Sequence, residues 1–292
     1  MRSGAPLLGL ALLVAAGCGP AAPATKPLVV ATIYPMWEFS RQVAGERALV
    51  TALVPAGVEP HDWEPSARDI SEVRRAAVFV HSGTGIDAWA ERLARDLDGD
   101  RTLMVNASRG ITLLRAGAGT DPHVWLDPAL ARAQVQAIAA GLEQADPAGR
   151  AGYAANASAY VARLDALDQA FAAGLRDCAR REIVTSHAAF SYLARRYGLT
   201  ELSVMGLAPE AEPSPADLAG IVRTARARKV THVFFEPLVS ARLAQALARE
   251  IGAATLPLDP IEGVGRDDRT GAGYVELMQA DLANLRLALG CR

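Results

Sequence analysis

The sequence has 292 residues, room for two medium domains or one large one. Its 51% hydrophobic and 21% charged residues form a globular composition with enough apolar surface for a core of normal size. A formal net charge of −2 gives no reason to expect nucleic acid or a basic membrane-binding face.

The first residues stand apart from the rest. Met1-Arg2 is a short positive start, residues 7–16 are an apolar run, and Ala15-Ala16-Gly17-Cys18 puts small residues ahead of a cysteine. The run is too short to span a bilayer and reads as a secretory signal over residues 1–18. The small residues before Cys18 resemble a bacterial lipobox, in which the cysteine is lipidated. The usual Leu three positions earlier is Ala15 here. Residues 19–27 are rich in Ala and Pro and read as a tether. The protein is thus expected to be exported and lipid-anchored, at the cell membrane or in the periplasm.

Beyond the tether, short apolar runs at 27–33, 48–54, 77–80 and 102–105 alternate with helical patterns at 66–75 and 86–97. That alternation predicts an α/β domain over 28–145 with a mainly parallel sheet. Asp146-Pro147 reads as a helix start, and Tyr153, Tyr160, Leu164, Leu167 and Phe171 then form one apolar stripe. A linking helix over 146–175 follows from it. Alternation resumes over 176–292, with strands at 182–186, 199–205, 230–235 and 253–258. Helices are expected after 187 to 197 and at 214–228, 239–251 and 273–289. The fold class is therefore α/β: two similar domains joined by one long helix. Cys178 and Cys291 are an even pair in an oxidising compartment, and one disulfide or two separate buried thiols both fit.

There are five histidines: His61, His81, His123, His187 and His232. Three sit at element junctions. His61 follows the run ending at Val54, His123 precedes a helix, and His187 comes directly after the 182–186 strand. Asp259 has the same position after the 253–258 strand. In open α/β sheets, ligands bind beyond the carboxyl ends of strands. Three imidazoles and one carboxylate, two from each half, can therefore meet in an interdomain cleft, and that donor set suits Zn²⁺. His81 and His232 read as structural. Glu236, at a strand end, fits either orienting a ligand or pairing with a surface Arg. Asp62 and Glu59 read as loop charges, and Trp63 and Trp125 as cleft walls that exclude water.

Several segments resemble the zinc/manganese solute-binding lipoproteins of ABC importers, the ZnuA/TroA-like family. They are Ile33-Tyr34-Pro35, Gly57-Val58-Glu59-Pro60-His61-Asp62-Trp63, Asp121-Pro122-His123-Val124-Trp125-Leu126-Asp127-Pro128, Thr185-Ser186-His187, Glu210-Ala211-Glu212-Pro213-Ser214 and Phe234-Phe235-Glu236-Pro237. They occur in family order over nearly all of the mature chain. The resemblance implies two α/β domains with a metal buried between them, held by His61, His123, His187 and Asp259. It also implies capture of Zn²⁺ as transported cargo, delivery to an ABC permease and its ATPase subunit, and a monomer rather than an enzyme. The manganese-type members generally carry a carboxylate where His187 stands, so His187 points to zinc. The stretch 114–120 has no His, and so lacks the His-rich loop of many zinc members.

Three other readings are open to the same residues: the same role for Mn²⁺ or Fe²⁺, a secreted zinc hydrolase, and an adhesin. Four protein donors close the metal shell and favour capture over catalysis. Nothing in the sequence marks an adhesive surface.

Overall fold

The structure is a computed structural model that describes residue 1 and residues 26–97, 101–117, 119–208, 214–265 and 271–292. The signal, nearly all of the tether, Cys18 and the 210–213 part of the Glu210 motif lie outside the described residues. Strands β1 (Leu28–Ala31), β2 (Leu49–Ala52), β3 (Val78–His81) and β4 (Leu103–Asn106) form a parallel sheet in the order β2-β1-β3-β4. Helices α1 (Tyr34–Ala44), α2 (Ala67–Val73) and α3 (Ala88–Asp96) lie among them. A small hairpin follows, β5 (Arg115–Ala116) with β6 (Gly119–Thr120), and then α4 (Pro128–Ala145) and α5 (Arg150–Gly174). The second half contains β7 (Glu182–Thr185), α6 (Ser191–Tyr197), β8 (Thr200–Ser203), α7 (Pro215–Ala227), β9 (His232–Phe235), α8 (Arg242–Ile251), β10 (Ala254–Pro257) and α9 (Tyr274–Leu289). Its sheet is also parallel, in the order β10-β9-β7-β8. Numbered within each half, the two sheets share one strand order, as the similar alternation of the two halves suggests.

Local chemistry explains the element ends. Ser66 accepts the Asp69 N–H while the Asp69 carboxylate reaches back to the Ser66 N–H, a reciprocal cap for α2. Asp127 accepts from the Ala129 N–H at 2.8 Å and Pro128 opens α4. Ser214 and Pro215 do the same for α7. Helix α1 has no place among the predicted elements. Its buried face includes Glu38 and Ser40 beside Met36, Phe39 and Val43, so polar residues interrupt the apolar stripe. The buried Glu38 carboxylate is met by Arg41 and Gln42 one turn on.

The long helix departs from expectation at its start. A 3-10 turn, Pro147–Gly149, separates α4 from α5. Asp146 does not cap a helix with its side chain. Its carboxylate is taken by Arg47, at 2.6 and 3.1 Å, and by the Tyr153 hydroxyl at 2.9 Å. The 25-residue α5 is about 37 Å long at 1.5 Å per residue. Its stripe of Tyr153, Tyr160, Leu164, Leu167 and Phe171 is buried against α1 and α4 at one end and α9 at the other. One core thus runs through both halves. No helix among the described residues is long and apolar enough to cross a membrane.

Cys178 and Cys291 are joined as a disulfide across 113 residues of sequence. The bridge lies in a short antiparallel contact, where Ala179 and Arg180 N–H groups donate to Gly290 and Leu289 carbonyls. It pins the end of α9 to the entry of β7. Closing so long a loop stabilises by up to about 4–5 kcal/mol in the chain-entropy model. Cys178→Ser with Cys291→Ser is expected to lower the melting temperature clearly, and the unreduced, denatured wild type to show neither thiol to a blocking reagent.

Candidate metal centre

The two sheets present their carboxyl ends to one another, and four side chains meet there. His61 lies in a 3-10 turn, Pro60–Asp62, beyond β2. His123 opens a second such turn, Val124–Leu126, after the β5–β6 hairpin. His187 follows β7, and Glu262 follows β10. One donor atom from each lies within 4.8 Å of all the others. His123 and His187 are fully buried, Glu262 nearly so, and His61 has the most exposed side chain at 11%.

The distances define a small polyhedron. Nε2 of His123 stands 3.4 Å from Nε2 of His61 and 3.4 Å from Nε2 of His187. One oxygen of Glu262 is 2.8 Å from His123 Nε2, 3.3 Å from His187 Nε2 and 3.4 Å from His61 Nε2. A tetrahedral Zn²⁺ with bonds of about 2.0–2.1 Å to nitrogen and oxygen requires ligand–ligand edges of about 3.3 Å. The residues fit that ion with little adjustment.

Outer carboxylates fix the rings. His123 Nδ1 is 2.8 Å from Asp121, which also accepts the His123 backbone N–H at 2.9 Å. His187 Nδ1 is 2.8 Å from both oxygens of Glu236, whose Oε1 accepts the His187 backbone N–H at 3.1 Å. Each Nδ1–H is thereby committed outward, leaving Nε2 free to face the centre. Of the two roles open to Glu236, the structure places it on His187 and not on an Arg. His187 and Glu236 come from the ends of the paired strands β7 and β9, where the strand order reverses.

The fourth position corrects the expectation. Asp259 is absent from the cluster. Its carboxylate turns back to accept the Ile261 N–H at 2.8 Å, while its own N–H donates to Asp281 at 2.9 Å. That local turn, with Ile261 at φ 55°, swings the chain round so that Glu262, three residues on, reaches the centre. Among the outer groups, Asp121 carries no role in the sequence reading. Its signal is the Asp-Pro-His spacing, which sets a carboxylate beside the imidazole two residues later. Glu262 had a fainter one, a carboxylate between Pro260-Ile261 and Gly263 in a strand-end loop. His81 is buried beside Phe79, and His232 is half-buried against Thr231, both away from the centre. Trp125 is fully buried with its ring edge-on to His123 at 5.4 Å, and Trp63 packs on Trp89.

Three buried carboxyl groups and three imidazoles in one dry site call for positive charge. Burial by itself lowers the pKa of His123, but its hydrogen bonds to Asp121 and Glu262 outweigh that and push it up to about 9. For His187, burial is likewise outweighed by Glu236 and Glu262, and the value reaches about 11. Burial raises the Glu262 pKa, yet its contacts with His123, His187 and His61 hold it well below the usual carboxylate range. In the absence of a cation, the site holds protons where a divalent ion fits.

A family described as the periplasmic zinc-uptake complex component A, ZnuA, matches residues 29–288. The chain belongs to this family. It is 34% identical to the high-affinity zinc uptake system protein ZnuA of Bacillus subtilis, over 98% of this chain and 97% of that protein. It is 36% identical to the zinc-binding lipoprotein AdcA of Streptococcus pneumoniae over 88% of this chain, and spans about half, 55%, of AdcA's length. The crystal structure of the Zn(II)-bound ZnuA-like domain of that AdcA superposes with a TM-score of 0.82. It is 37% identical, with 91% of this chain and 99% of that domain covered. Family members are extracytoplasmic binding components of zinc importers rather than enzymes, which removes support from a hydrolase.

The raised histidines give the metal-free protein a defined pH response. Both have folded pKa values above the unfolded value of about 6.5. Their stabilisation is complete below that value and is lost as pH rises through about 9 for His123 and about 11 for His187. The melting temperature of chelated protein is expected to fall between pH 7 and 10, with a shallower fall in Asp121→Asn.

Proposed function

We propose that this chain captures Zn²⁺ outside the cytoplasm through His61, His123, His187 and Glu262, and hands it to an ABC permease driven by its ATPase subunit. The observation that carries this reading is the set of edges of 2.8–3.4 Å among three imidazole nitrogens and one carboxylate oxygen. Four protein donors complete a tetrahedral shell and leave no position for a catalytic water. Three nitrogens with one carboxylate favour Zn²⁺ strongly over Mn²⁺, which stands at the weak end of the affinity order and prefers more oxygen donors. Cys18, within its lipobox-like segment, is the proposed site of a lipid anchor holding a monomer near the permease. The family's place in zinc uptake supports the capture and delivery, and the description of AdcA as a lipoprotein supports the anchor.

Competition titration is expected to show zinc bound far more tightly than manganese, and manganese preference in the wild type would overturn the cargo assignment. Saturating zinc raises stability by about 4 kcal/mol at a thousandfold excess over Kd, so chelated and zinc-loaded samples should melt well apart. Removing the outer partners, in Asp121→Ala or Glu236→Ala, is expected to weaken zinc about 10–100-fold. Glu262→Ala should weaken it further. Asp259→Asn keeps an acceptor for Ile261 and should bind almost as the wild type does.

Zinc also displaces the protons held by His123 and His187. Calorimetry in buffers of different ionisation enthalpy is expected to detect about two protons released per zinc near pH 7, so affinity falls as pH falls. Proton release near zero would show that the imidazoles are already neutral.

A further inference from the structure

Among the described residues, the polar contacts that join the two halves close to the ligands include the Gly57 N–H to the Val264 carbonyl at 2.7 Å, the Tyr192 hydroxyl with the Asp121 carbonyl and the Leu114 N–H, and two made by Trp125. Trp125 lies two residues after His123 and is fully buried. Its indole N–H crosses between the halves to the Pro260 carbonyl at 2.8 Å. Pro260 is two residues before Glu262. The Trp125 carbonyl in turn accepts the hydroxyl of Tyr274, at the start of α9 in the second half. Tyr274 is itself fully buried, edge-on to Phe39 of α1 at 5.0 Å. The Trp125 ring also meets the edge of the His123 imidazole.

The segment held by this contact is under strain. Ile261, between Pro260 and Glu262, has φ 55°, a region that a β-branched residue enters only at a cost. Such a conformation persists only where its surroundings over-determine it. Here the constraints are the Asp259 carboxylate on the Ile261 N–H, the full burial of the Ile261 side chain, and the indole bond to Pro260. Of these, only the indole bond ties Glu262's loop directly to the loop that carries His123.

We propose that Trp125 is a positioning residue that clamps the His123 loop to the Glu262 loop across the two halves, and so sets how long zinc is held. This rests on the zinc-capture reading above. While the clamp is made, Glu262 stays at its edge distance from the three imidazoles. When it opens, the loop relaxes toward an unstrained Ile261 and the carboxylate withdraws, leaving three ligands from the remaining elements.

The test uses the full zinc-loaded protein. Trp125→Phe keeps an aromatic ring and removes the N–H. It is expected to release zinc to a chelator between about three and ten times faster, the fold-change that corresponds to one lost hydrogen bond. The association rate should stay near that of the wild type. With Co²⁺ in place of zinc, its visible bands should lose the intensity of a four-coordinate tetrahedral site, a change that loss of stability alone does not produce. Tyr274→Phe frees the Trp125 carbonyl and leaves the indole bond, so it should accelerate release in the same direction by less. It also carries the test if Trp125→Phe fails to fold. Leu93→Ala, in a separate core cluster on the far face of the first sheet, should lower the melting temperature without changing release. Wild-type release rates and Co²⁺ spectra in Trp125→Phe, from a protein that binds zinc normally, would overturn the clamp. So would faster release in all three variants in proportion to their lost stability. A wild type that does not bind zinc would defeat the capture reading itself, and the clamp with it.

Discussion

Everything in this structure depends on one arrangement: three imidazole nitrogens facing a single carboxylate oxygen in a site from which water is nearly excluded. Burying these groups without a cation is costly, because each carboxylate loses hydration that hydrogen bonds replace only in part. The raised proton affinities of His123 and His187 express that demand in the metal-free molecule. A divalent ion answers it with one centre of charge at the point where the four donors already converge. The outer carboxylates of Asp121 and Glu236 then serve two purposes at once. They hold each ring in the tautomer that points Nε2 inward, and they add negative charge around the cation.

The frame is built to bring that arrangement together from distant sequence. Two parallel sheets with one strand order place their carboxyl ends in apposition, and the ligands come from loops after β2, the β5–β6 hairpin, β7 and β10. Neither half has a full ligand set. The site is complete only when both are seated, and the shared core along α5 and α9 seats them. The Tyr192 hydroxyl, bridging the Asp121 carbonyl and the Leu114 N–H across the halves, supports the segment that carries His123. Binding the ion therefore couples directly to how the halves are held.

The donor set also explains the specialisation of the family to which the chain belongs. Zn²⁺ has no geometric preference from its d electrons and accepts a tight tetrahedron of nitrogen and oxygen without penalty. An ion that prefers six oxygens finds too few here. A shell closed by protein holds the ion as cargo, whereas a catalytic shell must leave room for water or substrate. Binding and release, not bond-making, is what such a geometry does well.

Much of this was decided along the chain. The alternation of apolar runs and helical stripes determined two parallel α/β units, because burial on both faces of a strand and one face of a helix leaves distinct periodicities. The five-residue stripe from Tyr153 to Phe171 determined α5, and the strand-end positions of His61, His123 and His187 marked them as a group. Helix α1 was hidden because its buried face carries Glu38, which is satisfied only by neighbours one turn away. The fourth donor was decided by tertiary structure alone. Asp259 and Glu262 are both carboxylates in the loop after β10, and nothing in their spacing says which one faces the imidazoles. The choice lies in a backbone turn, with Asp259 spent on the Ile261 N–H and Ile261 held at positive φ between a buried core and the Trp125 indole. A single dihedral, held in part by the indole of a residue more than a hundred positions away, keeps one carboxylate on its own loop and brings the other to the three imidazoles.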